Sequence, residues 1–383
     1  MNLALADIHH HFVRFLVTAI GIGALLTASI GMIGLYRGIV FEALLIINDV
    51  GADLWVVEGN RVGPFAERSE VSSLLDRRLE GVPGVSEVRR FIQYNQQYLI
   101  DGRRLQVAVT ALDFPKDSGS WIPLIAGRHL YAGHYEAIAD RSLGLQVGQQ
   151  IRLGHDDYTI VGVAIGQVDI GGDGMLFVTI PDAQSLDSFV PSEAVLLRRL
   201  QHTIPNPNLL GYAVGNVAAL MVTLSPGADS GQVQSRVRQW GDVTVLTRKD
   251  EEDVLVNGRL RRLKIQILAF VGMTLLVTTT VIALSIYTMT IEKTREIALL
   301  KLIGARDRLI VGMILQQALY IGVNSFVGAL LTAHFIYPYF PRTVLILWPD
   351  VAFQALLVLI MCIVGSWFGI RRAMSVRAQA VLS

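Results

Sequence analysis

Four long stretches of this chain carry no charged residue, and they limit its fold more than any other feature. They cover residues 15–36, 265–291, 309–341 and 351–370, which is 22, 27, 33 and 20 residues. A helix rises 1.5 Å per residue, so about 20 residues cross the roughly 30 Å hydrocarbon layer. Within that layer every backbone N–H and C=O must be satisfied internally, and a helix does this within one segment. The sequence therefore predicts four transmembrane helices. The first stretch is longer than the apolar part of a secretory leader and runs on into polar sequence without a small-residue cleavage pattern, so it reads as an uncleaved anchor. A composition 52% hydrophobic and 17% charged fits such a chain.

Charge sets the expected orientation. The N-terminal stub, the connector between the second and third stretches, and the C-terminal tail together hold nine basic residues against four acidic ones. The long segment 37–264 holds 23 basic and 27 acidic residues. Basic residues concentrate on the cytoplasmic side of membrane proteins. Both termini and the connector are thus expected in the cytoplasm, and the 228 residues 37–264 outside, in an inner (plasma) membrane protein. The expected fold class is an α-helical membrane protein with four transmembrane helices and a large α+β extracytoplasmic domain between helices 1 and 2. The expected divisions are 1–36 (stub and first helix), 37–264 (two lobes, with a break near 203–216), 265–291 (second helix) and 292–308 (cytoplasmic coupling helix). They continue with 309–337 (third helix), 338–350 (short outer loop), 351–370 (fourth helix) and 371–383 (tail). The near-neutral net charge of +1 gives no sign of nucleic-acid binding, and the only cysteine, Cys362, falls in the fourth helix.

Within 37–264 the pattern is mixed. SEVSSLLDRRLE (69–80) predicts a helix capped by Ser69 and ended by Gly81, with Leu74, Leu75 and Leu79 facing inward. Asp101-Gly102 between two strand-like runs predicts a hairpin, because a two-residue turn needs positive φ. Residues 136–164 read as strand, short helix, then two strands around a His155-Asp156-Asp157 turn. After the Pro/Asn-rich break, VAALMVTL, a helix over 229–240 and DVTVLTR form a β-α-β unit.

A catalytic or metal centre is not indicated. None of the five lysines follows a glycine, so no phosphate-cradling P-loop is present. His9-His10-His11 point different ways on a helix and suit a membrane-interface segment. His129 and His134 share a loop without zinc-ligand spacing, and His334 is expected in a hydrogen-bonded structural role. Asp169 to Gly174 lacks the third ligand and the distal Glu of an EF-hand and reads as a glycine-rich hairpin turn. The spans hold amides (Gln316, Gln317, Asn324, Gln354) but no ionisable carboxylate or amine. A pump with a midplane pathway needs such groups, so the amides are expected to join helices instead. The second stretch, roughly 40 Å as a helix, is longer than the bilayer, and helical composition upstream of it predicts a rod reaching into the outer domain.

The connector, IEKTREIALLKLIGARDRL (291–309), places Ile297, Leu300 and Ile303 or Gly304 on one side, with Lys293, Arg295, Glu296 and Lys301 around them, and Gly304 lets the chain turn. It reads equally as a helix lying in the lipid headgroups or as a docking helix for a cytoplasmic protein, with Glu292 and Glu296 meeting basic groups. EKTREIALLKLIGA resembles the stretch after the second span in permeases of the MacB/FtsX-like family. EAIADRSLGLQVGQQIRLGHDDYTIVGVA and VRFLVTAIGIG resemble the outer domain and first-span entry of the same family. GADLWVVEGNRVGPFAERS and VPGVSEV are most similar to its DevC/HrtB-like exporter branch. The tail departs from the family by lacking a Pro-x-x-Ala-Leu pattern.

The resemblance implies a mechanotransmitting ABC permease that acts as a homodimer on a separate cytoplasmic ATPase, which binds ATP and Mg, with no cofactor in this chain. It implies that Glu292, Lys293, Arg295, Glu296, Ile297, Leu300, Lys301, Gly304 and Ala305 form the coupling surface. It further implies a periplasmic adaptor, an outer-membrane channel, and a hydrophobic or amphiphilic substrate such as lipid, haem, drug or peptide. Two other readings stand beside it: an FtsX-like transmembrane regulator of a cell-wall hydrolase, whose outer domain is smaller than this one, and a sensor with no ATPase.

Overall fold

A computed structural model of the protein describes residues 12–100, 102–188, 216–340 and 342–375. The chain divides into two compact units: Ile39–Arg261, and the flanking segments up to Gly38 and from Arg262 onward. The predicted His9-His10-His11 segment, Asp101, nearly all of the 203–216 break and the end of the tail lie outside the described residues.

Helix α1 (Phe12–Asp49) opens the chain. It is followed by β1 (Leu54–Glu58), β2 (Val71–Ser72), α2 (Leu75–Glu80), β3 (Val85–Ile100), β4 (Arg103–Leu112), β5 (Leu124–Gly127) and β6 (Glu136–Asp140). Next come β7 (Gln150–Leu153), β8 (Asp156–Ala164), β9 (Gly174–Thr179), α3 (Ile180–Ser188), β10 (Asn216–Val217), β11 (Ala219–Leu224), α4 (Ser230–Arg238) and β12 (Val243–Thr247). The chain then forms α5 (Arg248–Asp253), a π-helical turn (Val254–Arg259), α6 (Arg261–Glu292), α7 (Thr294–Leu302), α8 (Asp307–Ile336) and α9 (Trp348–Met374). The α1, α6, α8 and α9 helices are each long and apolar enough to cross a membrane. The predicted rod upstream of the second span is interrupted, because the π-turn separates α5 from α6.

The Ile39–Arg261 unit is built on a mixed sheet in the order β12-β1-β11-β3-β4-β9-β6-β8-β5, with β7 on β8. β3 joins its two halves: residues 85–91 pair with β11, and Ile92 to Ile100 pair with β4 as the predicted hairpin. Gly102 has φ +76°, as that turn requires. One apolar core runs beneath the sheet, from Leu54 and Val88 to Leu153 and Tyr158. β11, α4 and β12 form the expected β-α-β unit, with β1 lying between the two strands.

Two local expectations fail. The helix predicted over 69–80 is only α2, because Ser69 is engaged elsewhere: its hydroxyl accepts the Glu58 N–H at 3.0 Å, and Val71–Ser72 pairs with β10. Leu74 is exposed rather than inward. The turn placed at His155-Asp156-Asp157 is carried by Gly154 (φ +62°) and His155, and Asp156 already pairs with Leu153.

In the helical unit the spans share one core, including Ile22, Leu26, Ile282, Ile286, Ile314, Ile321, Val358 and Cys362. Backbones approach closely at small residues. A Cβ on Gly365 would stand 2.9 Å from the Ile282 side chain, and one on Gly322 would collide with Cys362. Of the four amides, Gln354 joins helices, donating to Ser29 Oγ at 2.9 Å in the buried interior. Gln317 is also buried. Gln316 is exposed, and Asn324 is exposed and bonds back to Tyr320 O in its own helix, so neither joins spans as expected.

Glu251 on α5 is fully buried, and neither carboxyl oxygen has a hydrogen-bond partner. It occupies space left by Gly63, where any Cβ would collide with the carboxyl. Burial first, and then the Asp250 carboxylate, push its pKa up to about 8 from an ordinary 4.5. The folded chain thus keeps a proton that the unfolded chain has lost, and stability declines as pH rises from 4.5 to about 8. Replacing Glu251 with Gln removes this decline. Thermal unfolding of the full chain in detergent at pH 6 and pH 9 checks it: the wild type is expected to lose several degrees between the two, and the variant to lose less.

Candidate coupling surface

The elements around α7 are fixed by local hydrogen bonding. Thr294 Oγ1 bonds back to Ile291 O at 2.6 Å, and Lys293 takes φ −91°, ψ 9°, which breaks α6 from α7. A hydroxyl bonded into the preceding turn competes with the helix ladder and bends it. At the other end Gly304 takes φ +92°. Its N–H donates to Lys301 O at 3.1 Å and the Ala305 N–H to Leu300 O at 2.9 Å, the two bonds of a Schellman turn. The chain then enters α8 within two residues. The turn expected at Gly304 is therefore present, and its physical requirement is a residue that tolerates left-handed φ.

The structure divides the nominated residues into three groups. Ile297 is buried in the same core as Phe15, Ile310 and Ala373, and Ala298 is buried beside it in sequence. Leu300, Lys293 and Ala305 are half-buried. Lys301 points inward: its Nζ donates to Ala373 O at 3.0 Å and Met374 O at 3.3 Å. A cation at a helix C-terminus meets unsatisfied carbonyls and the negative end of the helix dipole. Lys301 thus caps α9.

Glu292, Arg295, Glu296 and Gly304 are exposed. Ile303, grouped with Ile297 and Leu300 on one side as the alternative to Gly304, is 84% exposed, and Leu299 and Leu302 are exposed with it. At 100° per residue, Arg295, Glu296, Leu299, Leu302 and Ile303 fall within one stripe, opposite Ile297 and Lys301. The outward face therefore carries charge in its first turn and large apolar side chains in its last. Sequence reasoning named Ile303 but missed Leu299 and Leu302. The signal that could have found them is their number: eight of the nine residues Ile297–Ala305 are apolar or glycine, more than one inward face can accept.

The other candidates are structural. The Asp169 carboxylate accepts Asp173 N at 2.8 Å and Asn95 Nδ2 at 2.6 Å, closing the hairpin turn. His134 Nδ1 lies 3.0 Å from Asp182, and His129 Nε2 lies 3.1 Å from Ile122 O. His334 is exposed and packs edge-on to Phe335, instead of the hydrogen-bonded role expected of it. Among the described residues no group of three or more His, Cys, Asp or Glu could hold a metal ion.

Comparisons with known proteins agree in extent. A family model described as the MacB-like periplasmic core domain matches residues 15–240, and one described as the FtsX-like permease C-terminal matches residues 268–377. Uncharacterized ABC transporter permeases of Mycobacterium tuberculosis (strain H37Rv) and Mycobacterium bovis are each 22% identical over 380 residues, covering 97% of this chain and 96% of their own. The periplasmic region of MacB from Actinobacillus actinomycetemcomitans is similar at 10% identity and a TM-score of 0.36, over 55% of this chain and 96% of that one. The extracellular domain of the noncanonic ABC-type transporter YknZ from Gram-positive bacteria is similar at 10% identity and a TM-score of 0.33, over 51% and 100%.

The Gly304 turn and the Lys301 cap have separable costs. Gly304→Val places a β-branched residue at left-handed φ and is expected to cost about 1–2 kcal/mol. Gly304→Asn should cost less, because Asn tolerates that region. Lys301→Met should cost about 0.3–1 kcal/mol through the lost cap. Thermal melts of the detergent-solubilised variants should rank Gly304→Val as the least stable.

Proposed function

The chain belongs to the MacB-like family of membrane proteins, and on that premise we propose that it converts closure of a separate ATPase into movement of its large domain. It is a multi-pass ABC transporter permease of the MacB/FtsX type. In this reading both termini and α7 face the cytoplasm of a cell with the protein in its inner membrane, and ATP and Mg bind only in the partner. Two permease copies sit on the ATPase. The cargo is hydrophobic or amphiphilic (a lipid, haem, drug or peptide) and is passed on by a periplasmic adaptor toward an outer-membrane channel, as in the DevC/HrtB-like exporters.

The observation that carries the reading is the outward stripe of α7. A short helix tied into the bundle by Ile297, Ala298 and the Lys301 cap still presents Leu299, Leu302 and Ile303 outward, beside Arg295 and Glu296. Exposed apolar side chains next to charges of both signs fit a protein partner: the apolar residues supply area and the charges supply register. A helix lying in headgroups gains nothing from the two carboxylates Glu292 and Glu296 facing anionic lipid. The absence of carboxylate or amine groups within the four apolar stretches supports a mechanism in which cargo does not cross the bilayer midplane.

How α7 moves its partners follows from its attachments. A push on its outward face reaches α6 through the Lys293 junction, α8 through the Gly304 turn, and α9 through Lys301. The three spans on that side are therefore displaced together, and α6 leads back toward the large domain.

The test is co-purification of the tagged full chain from its native membrane in mild detergent, with nucleotide trapping. A stoichiometric ATPase is expected with the wild type. Leu302→Asp/Ile303→Asp and, separately, Glu292→Lys/Glu296→Lys should each reduce its recovery about tenfold, with melts of the permease unchanged. Full recovery of the ATPase with both double variants would remove α7 as the docking element.

A further inference from the structure

The segment between α8 and α9 is pinned against α1. Leu345 N–H donates to Gly34 O at 3.0 Å, and the Tyr337 hydroxyl donates to Thr27 O. Arg37 grips both oxygens of Asp350, Nε to Oδ2 at 3.0 Å and Nη2 to Oδ1 at 2.9 Å. Glycines make this closeness possible: a Cβ at Gly31, Gly34 or Gly38 would collide with Tyr337, Val344 or the Thr343 carbonyl. A loop so close to a helix is held in one shape by backbone and bidentate bonds together.

That shape leaves a recess of about 490 Å³ at the end of α8, lined by His334, Tyr337, Phe340, Arg342, Val344 and Ile346 among others. None of the described residues that line it is acidic. The nearby Asp350 carboxylate is committed to Arg37. Aromatics near its lining residues in sequence are exposed, Tyr339 90% and Trp348 86%, with Phe335 exposed as well. Aromatic rings of this kind collect where lipid headgroups meet the hydrocarbon. The volume lies in the range that encloses a small organic ligand.

We propose that this recess binds the headgroup of an acidic glycerophospholipid from the leaflet at the Arg37 end of α1. Arg342 takes the phosphate, since a planar guanidinium with five donors matches phosphate oxygens in pairs. The His334 imidazole offers a further donor, the rings of Tyr337 and Phe340 receive the glycerol backbone, and Val344 and Ile346 lie along the first acyl carbons. The pinned loop prepares the site before lipid arrives, which lowers the ordering cost of binding. The site is independent of the cargo and of the ATPase: it ties the α8–α9 loop and α1 to one lipid.

Native mass spectrometry of the detergent-solubilised full chain tests this, with equal amounts of a phosphatidylglycerol and a phosphatidylcholine of identical acyl chains. The wild type is expected to retain phosphatidylglycerol about tenfold better: both lipids carry the phosphate, but choline brings a cation beside Arg342 and glycerol does not. Arg342→Gln should remove most of that preference, and Arg342→Lys should restore part of it, because charge returns without the planar fork. Arg308→Gln, a charge-matched change at the other end of α8, should leave it intact. Equal retention of the two lipids by the wild type, an unchanged preference in Arg342→Gln, or an equal loss in Arg308→Gln would each overturn the assignment.

Discussion

Inside a bilayer an apolar side chain gains little by leaving lipid for protein, so helices stay together only where their backbones come close enough for dense packing or share a polar bond. The helical unit relies on that closeness. Gly365 and Gly369 on α9 receive Ile282 and Ile286 of α6, Gly322 on α8 receives Cys362, and Gln354 is bonded to Ser29 in the interior. Because α6 and α9 meet at glycines, α7 emerges beside the end of α9, where the Lys301 ammonium reaches two terminal carbonyls. The close contact deep in the bundle thus decides which face of α7 is covered, and by exclusion which face is offered outward.

The two ends of this bundle are finished differently. At the Gly304 end the chain turns tightly through a Schellman motif and leaves a short amphipathic ridge. At the Arg37 end a longer loop folds back on α1 and is fixed by a bidentate ion pair. Both solve the same problem, that backbone groups leaving the hydrocarbon layer need partners. The first solution leaves apolar side chains uncovered, and the second leaves a basic, aromatic hollow.

The large domain shows how far local pattern carries and where it stops. The hairpin of β3 and β4, the β6 to β8 region and the β-α-β unit of β11, α4 and β12 follow alternation and turn residues closely enough to be read directly. The failed helix over 69–80 has a non-local cause. Ser69 has the side chain of a helix cap, yet its hydroxyl is taken by Glu58 N–H, and the next residues pair with a strand some 145 positions later. No local rule weighs a cap against a partner that distant. Glu251 is a similar case: its sequence neighbours suggest a solvated helix turn, and only the fold puts it in the space above Gly63.

By itself the sequence determined the number of spans, the insertion of a large α+β domain after the first, the absence of a P-loop and the position of the connector with its glycine turn. These rest on features that act over one helix length or less: uninterrupted apolar runs, charge counts and a residue able to take positive φ. Tertiary structure decided which side of the connector is free. Ile297 and Ile303 are alike in chemistry, and so are Lys301 and Arg295 in charge. One of each pair is turned inward because α9 ends where it does, and that end is set by packing between helices far apart in the chain.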